Sequence, residues 1–501
     1  MDVGIFMLSK DEIVKSVPQK GFLGHPKGLS TLFFTEFWER FSYYGMRAIL
    51  IFFMYYELNE GGLGLDRGTA NSIMALYGSL VYMSGIIGGW IADRILGTRK
   101  TIFYGGILIM IGHILLALPG GIEMLFTSMA FIIIGTGLLK PNVSSIVGDI
   151  YADGDYRRDA GFSIFYTGIN AGSFLAPLIV GTIGQTYSFH LGFGIAAVGM
   201  FLGLVIFKLT EKKYLGVAGT QVNNPLQPEE RKKTAVMALG GIIVIALAAY
   251  VLNTQGLLTV NTFGLVVTTL GILIPTIFFF VMYRSEKTTK DEKSRVLAYI
   301  PLFISAVIFW AIQEQGATIL ATYANDRTNL NFLGITLKSS WFQSLNPLFI
   351  ITLAPMFAML WVKWGEKQPT TPRKFAYALF FAGLSFIVMM IPSSLSGGTT
   401  LVSPLWLVLS FFLVVVGELL LSPVGLSATT QLAPKAFAAQ TMSLWFLTSA
   451  AAQAINAQLA KVYEVVSEFL YFGIIGGIAI AFGIIILIIS PIVSKAMRGV
   501  K

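Results

Sequence analysis

Seven ionisable side chains sit where the surrounding residues are almost wholly apolar. Glu36, Glu39, Arg40 and Arg47 fall within TEFWERFSYYGMRAIL, Thr35 to Leu50. Lys140 lies in FIIIGTGLLKPNVSSIVGDIY, Glu314 in FWAIQEQGATILATYA and Glu418 in LVVVGELLLSPVGLS. Carboxylates and cations in such a setting can do two kinds of chemistry: grip the charged ends of a small solute, and exchange a proton. Glu36 and Glu39 are one helical turn apart, and like charges that close in a desolvated place resist being ionised together. The set holds three cations (Arg40, Arg47, Lys140) against four carboxylates (Glu36, Glu39, Glu314, Glu418). One carboxylate is in excess, and binding a single proton restores neutrality in a low-dielectric chamber. Proton coupling is therefore the expectation, with Glu36, Glu39 and Arg40 as its centre.

These residues need elements to position them, and composition says which. The chain has 501 residues, of which 55% are hydrophobic and 12% charged, with a mean hydropathy of +0.73; soluble domains carry about 25% charged residues. This is the composition of an all-α polytopic membrane protein. A span takes about 20 apolar residues, and that ruler places spans near 28–56, 68–93, 101–119, 123–150, 160–186 and 190–209. Two follow near 234–253 and 257–283, then six more near 296–323, 339–362, 374–392, 401–431, 436–460 and 468–493. The implied organisation is a tail over 1–27, a six-helix bundle over 28–210, a linker over 211–233, a two-helix insertion over 234–284 and a second six-helix bundle over 285–497. The N-terminus has no uninterrupted apolar core and reads as a retained tail.

Lysine and arginine set the orientation. Clusters such as Arg94, Arg99 and Lys100, or Lys287, Lys290, Lys293 and Arg295, fall in alternate loops, and the remaining loops hold only Arg67, Arg327, Lys338 and Lys461. Both termini are expected in the cytoplasm, with the chain multi-pass in the cell membrane. The net charge of +9 is spread beside spans, so no nucleic acid is implied.

A charge at a helix centre costs roughly 3 kcal/mol on insertion scales, and four cost roughly 12, against about 0.5 gained per large apolar side chain. Lipid exposure of all four is excluded. At 100° per residue Glu36, Glu39, Arg40, Tyr43 and Arg47 share a stripe about 100° wide, with Tyr44 at its border. An internal ladder, Glu36 with Arg40 at i, i+4, is the plainer alternative. Tyrosines and like charges favour a water-filled site.

Other chemistry lacks its parts. With no cysteine there is no disulfide or thiolate. His25, His113 and His190 are scattered, so no metal or other cofactor is expected beyond the proton as coupling ion. No H-E-x-x-H, G-x-S-x-G or Walker A sequence occurs, and the chain is not expected to be an enzyme. The NVS triplet at Asn142 lies inside a span. Glycines such as Gly85, Gly89, Gly473, Gly476 and Gly477 are expected at close helix contacts, and Pro141, Pro177, Pro355 and Pro423 at kinks.

The six, two, six arrangement resembles the major facilitator superfamily. GGWIADRILGTRK, with Gly89, Asp93, Arg94, Gly97, Arg99 and Lys100, is similar to its cytoplasmic loop motif, which in that family latches the bundles. Within it the chain resembles the bacterial proton-dependent oligopeptide transporters over essentially its whole length. EFWER (Glu36–Arg40) is similar to their E-x-x-E-R motif, and FSIFYTGINAGSF (Phe162–Phe174) to their fifth-helix signature. The resemblance implies a proton-coupled symporter of di- and tripeptides working by alternating access. Arg40 and Lys140 are then ligands for the peptide carboxylate and Glu418 for its ammonium. Asn170 and Asn346 recognise the backbone, while Tyr43, Tyr44, Tyr82 and Trp445 line the pocket. Arg47 with Glu314 forms a bridge between helices one and seven. The expected partners are peptides, protons and lipid, and the chain is expected to act as a monomer. The rival readings are a carrier of nitrate or another small solute, which a buried Glu418 would repel if anionic, and a peptide sensor that does not transport.

Overall fold

The computed structural model of the protein describes residues 8–153, 155–222, 224–397 and 399–500, so the first seven residues of the expected tail lie outside it. Fourteen helices of membrane length follow one another among the described residues. They are α1 (Gly28–Tyr55), α2 (Arg67–Leu96), α3 (Thr98–Ala117), α4 (Gly121–Asp149), α5 (Arg158–Thr186), α6 (Phe189–Tyr214), α7 (Pro228–Thr254) and α8 (Val260–Arg284). The rest are α9 (Lys290–Asp326), α10 (Ser339–Lys367), α11 (Thr371–Ser396), α12 (Leu405–Leu432), α13 (Ala438–Val465) and α14 (Glu468–Ala496). Twelve are apolar enough to span a membrane by composition alone. The others are α1, with its four charges, and α13, which carries Gln453, Asn456, Gln458, Lys461 and Glu464. Among the described residues the architecture is all-α, with one two-stranded antiparallel ribbon, Asn331–Phe332 with Ile335–Thr336, and two isolated bridges, Phe22 with His25 and Thr328 with Val402.

Where helix ends depart from the hydropathy reading, local bonds explain it. Helix α6 runs on to Tyr214 past the expected 209, carried by the Lys208–Glu211 pair at 2.9 Å. Helix α12 starts at Leu405 instead of 401 because Pro404 precedes it and the Val402 backbone is already bonded to Arg327 and Asn329. Among the described residues two helices contain a wider, π-type turn. One covers Ala92–Leu96 of α2; the other begins at Pro177 and ends at Gly181 in α5. In α5 the turn begins at Pro177, which lacks the N–H that an ordinary turn would use.

Backbone packing resolves two compact units, each with its own core. The first contains Met1–Tyr43, Met83–Gly172 and Phe193–Leu265; the second contains Tyr44–Tyr82, Ser173–Gly192 and Val266–Lys501. The boundary therefore falls inside α1, α2, α5, α6 and α8. In the first unit Leu29, Leu32, Ile102, Ile109, Leu139, Val143 and Ile146 form the core with Val17 of the tail. The Asp93–Lys100 turn of this unit is tied to the connector that follows α6. Arg99 donates through its side chain to Gly216 O at 2.6 Å and through its backbone to Gly219 O at 2.9 Å. Asn224 and Leu226 N–H donate to Asp93 O and Arg94 O, and Arg94 pairs with Glu230 at 2.8 Å. Helix α7 buries none of its residues, as expected for a helix bathed in lipid.

Helix contacts are closest where glycine faces backbone. A Cβ on Gly135 of α4 would lie 2.6 Å from Gly105 O of α3, and one on Gly476 of α14 would lie 2.7 Å from Gly383 O of α11. The expectation for Gly85, Gly89 and Gly477 is corrected: each faces open space. Gly88, one residue round the helix from Gly89, is the one pressed against the Gly137 carbonyl. Asn142 is buried in α4 and donates to Leu138 O at 2.6 Å, so its triplet is no glycosylation acceptor.

Overfilling a packed contact costs about 1–3 kcal/mol. Gly135→Val is expected to lower the thermal unfolding midpoint of the detergent-solubilised protein, whereas Gly240→Val, which meets nothing within 4 Å, leaves it unchanged.

Candidate functional site

Helix α1 carries both halves of the charged stripe, and each unit holds its own set. In the first unit, Arg40 Nε lies 3.0 Å from Glu36 Oε1 and 2.5 Å from Glu39 Oε2. The three side chains are all but inaccessible. The i, i+4 ladder of the plainer reading is thus present, but Glu39 shares the same guanidinium. Glu36 Oε2 and Glu39 Oε1 are buried without a hydrogen bond. The Arg40 guanidinium also lies 5.4 Å from the centre of the Tyr43 ring, near enough for a cation–π contact. Half-buried Lys140 on α4 acts electrostatically on both Glu36 and Glu39. Asn170 on α5 is buried and donates to Tyr166 O at 2.9 Å. Two cations therefore face two carboxylates.

The second unit is built differently. Glu314 accepts from three helices: Arg47 Nη2 of α1 at 2.6 Å and Gln453 Nε2 of α13 at 2.8 Å, both on Oε2, and Tyr82 OH of α2 at 3.1 Å on Oε1. Helix α9 tightens immediately after Glu314, at Gln315–Ala317, and Gln343 Nε2 donates to the freed Gly316 carbonyl at 2.7 Å. Irregular backbone at this depth survives only with such a partner. Glu418 of α12, also buried, accepts on Oε2 from Asn346 Nδ2 at 3.2 Å and Gln313 Nε2 at 3.4 Å. Amides alone hold it, with no cation beside it among the described residues. One cation, Arg47, thus stands against two buried carboxylates, and the surplus acid of the sequence count belongs to this unit. Trp445 of α13 lies over Gly425 of α12, where a Cβ would come 2.0 Å from the indole, and is buried; Tyr44 and Tyr82 are partly so.

Further bonds knit the same unit. Thr182 and Gln185 of α5 meet the start of α10, where Trp341 Nε1 donates to Thr182 Oγ1 at 2.8 Å and Gln185 bonds both Ser339 and Ser340. Arg67 pairs with Asp326 at 3.1 Å, and Tyr56 OH donates to Asn325 at 2.7 Å. Sequence reasoning missed Gln313 and Gln453, which hold the two carboxylates. The signals were IQEQ, with amides on both sides of the charge, and a lone glutamine in the small-residue run AAAQAIN.

A sequence model described as the POT family matches residues 99–493. The chain belongs to the POT family. Among its relatives in the family is an uncharacterised transporter, YclF, of Bacillus subtilis strain 168, 62% identical over 98% of this chain and 99% of that one. A di-/tripeptide transporter of Lactococcus lactis subsp. cremoris is 46% identical over 96% of this chain and 99% of its own. The solved structure of a peptide transporter POT in complex with sulfate is 66% identical, with a TM-score of 0.96 over 98% of this chain and 100% of that chain. A POT family transporter in complex with a thioalcohol-conjugated peptide is 47% identical, with a TM-score of 0.93 over 96% and 99% of the two chains. The fold is accordingly the major facilitator fold, and the chain is a multi-pass membrane transporter.

Removing one partner of a buried ion pair costs about 3–5 kcal/mol because the other charge is left uncompensated. Arg47→Ala is expected to destabilise the protein strongly in detergent melting curves. The exchange Arg47→Glu with Glu314→Arg should recover part of that loss, and a double variant no better than either single one counts against the pair.

Proposed function

We propose that this POT family member is a proton-coupled symporter of di- and tripeptides, working by alternating access. The observation that carries the reading is the charge inventory. Glu418 is a buried carboxylate held only by Asn346 and Gln313, and a carboxylate desolvated without a cation is costly until one arrives. A peptide's α-ammonium supplies that cation. Arg40 and Lys140 receive the peptide carboxylate through charge-assisted hydrogen bonds. Asn170 and Asn346 take its amide groups, and Tyr43, Tyr44, Tyr82 and Trp445 pack its side chains. Fixed charges for both termini limit the length, since a longer peptide leaves one terminus unmatched. The names of the relatives, di-/tripeptide transporters among them, favour this reading over nitrate carriage.

Glu36 and Glu39 carry the coupling proton. Once the peptide carboxylate draws Arg40 away, two carboxylates one turn apart have lost their shared counter-charge, and a proton replaces it. The undonated oxygens Glu36 Oε2 and Glu39 Oε1 have room for it. Arg47 with Glu314 closes the outer side. Both termini face the cytoplasm, as the lysine and arginine distribution favours, and the transporter acts as a monomer in the cell membrane.

Proteoliposomes containing the protein are expected to accumulate labelled dialanine under an imposed pH gradient, and a protonophore should abolish the accumulation. Glu36→Gln or Glu39→Gln should stop uphill uptake but spare exchange of labelled for unlabelled dialanine. Glu418→Gln should weaken dialanine binding by about 2–5 kcal/mol and leave an N-acetylated dipeptide, which has no ammonium, unaffected. Uphill uptake unchanged in the Glu36 and Glu39 variants would remove them from the coupling step.

A further inference from the structure

Helices α2 and α13 lie antiparallel in the second unit, and their contact has a seven-residue repeat. Ser72 Oγ donates to Ala457 O at 2.9 Å, and Ser79 Oγ donates to Ala450 O at 2.8 Å. Each partner is displaced by two helical turns, so the helix axes run nearly parallel, as they do in coiled coils. Small residues keep the backbones close enough for hydroxyls to reach carbonyls that already serve their own helix.

Between these two rungs stands Gln453. It is fully buried and approaches Gly78 of α2 so closely that a Cβ there would come 2.5 Å from Nε2 and 3.0 Å from Cδ. Past Gly78 the amide reaches Glu314 of α9 and donates to Oε2, the oxygen that also accepts from Arg47. The orientation of the amide follows from chemistry, since an ionised carboxylate only accepts. Its other end, Oε1, has no partner. The side chain thus leaves its carbonyl unsatisfied in a buried place in order to aim its N–H at one carboxylate oxygen, and such a loss is tolerated where something else depends on the geometry.

The geometry points to Gln453 as a positioning residue for the Arg47–Glu314 ion pair, with Gly78 as the gap in α2 that lets it reach. The groups facing Glu314 are then Arg47 from α1, Tyr82 from α2 and Gln453 from α13, with Glu418 of α12 acting electrostatically. Without Gln453, Arg47 would be the one donor on Oε2, with Tyr82 holding only the other oxygen. The second donor on the same oxygen fixes that oxygen, and the Ser72 and Ser79 rungs fix the donor. Closure of the outer side is on this account a joint property of three helices, and weakening the α2–α13 contact releases the ion pair without touching either of its members.

The inference rests on the transport reading only for the side called outer, and the test does not need transport. The chain has no cysteine, so Ala75→Cys, between the two rungs, can be labelled from outside intact cells with a membrane-impermeant maleimide. Against that background Gln453→Ala is expected to speed labelling about tenfold, the scale of one lost hydrogen bond to a charged group. Gln453→Met, which keeps the length but has no N–H, should do the same. Gly78→Ala should also speed it by obstructing the amide. The combination Gly78→Ala with Gln453→Ala should be no faster than Gln453→Ala alone, because the obstructed group is gone. Additive effects in the combination, or a Gln453→Met rate equal to that of the parent, would overturn the proposal in favour of simple packing. Thermal midpoints of each variant identify any that fail to fold. Absence of dialanine accumulation by the parent protein defeats the transport reading and leaves the labelling outcome intact.

Discussion

A charge in the hydrocarbon core must have a partner, and most of what is unusual in this fold follows from meeting that condition for Glu314. Three donors from α1, α2 and α13 converge on one carboxylate of α9. Each must be brought there by backbone that would otherwise be an uneventful span. Helix α9 tightens just beyond the residue, α2 carries a glycine where the donor passes, and α13 accepts polar residues that lower its hydropathy below that of its neighbours. The cost of an unpaired ion, several kcal/mol, exceeds the cost of each of these local concessions.

The two units answer the same constraint in opposite ways. The first is neutral by itself, since Arg40 serves both Glu36 and Glu39 with Lys140 nearby. The second keeps Glu418 beside amides that soften its burial without cancelling its charge. A neutral set can exchange a partner for a ligand of the same sign. A set with an unmatched acid gains when a cation enters.

Much of this was legible in the sequence. The fourteen helices followed from hydropathy, and the polar face of α1 followed from helical phase, because charges in lipid carry a penalty large enough to read from one chain. The positions of Arg40 and Glu418 away from lipid follow from the same penalty. The ends of α6 and α12 were misplaced by a few residues because an ion pair and a backbone bridge set them, and neither has a hydropathy signal. Gly88 was passed over for Gly85 and Gly89 because a glycine-rich face does not reveal which member meets a neighbour. Gln313 and Gln453 escaped notice since a neutral amide in an apolar run costs little in any scale, and only the fold discloses which oxygen it serves.

The π-type turn at Pro177–Gly181 adds one residue to a helix that must present Asn170 on one stretch and Thr182 and Gln185 on the next. The wider turn takes up that extra residue, so the residues beyond it keep the facing they would have in a helix one residue shorter, whereas the same insertion in an ordinary turn would rotate them by about 100°. The facing of Thr182 and Gln185 is therefore set by the wide turn as much as by the number of residues before it. Forcing 177–181 into ordinary turns without shortening it would turn Thr182 and Gln185 away from Trp341, Ser339 and Ser340.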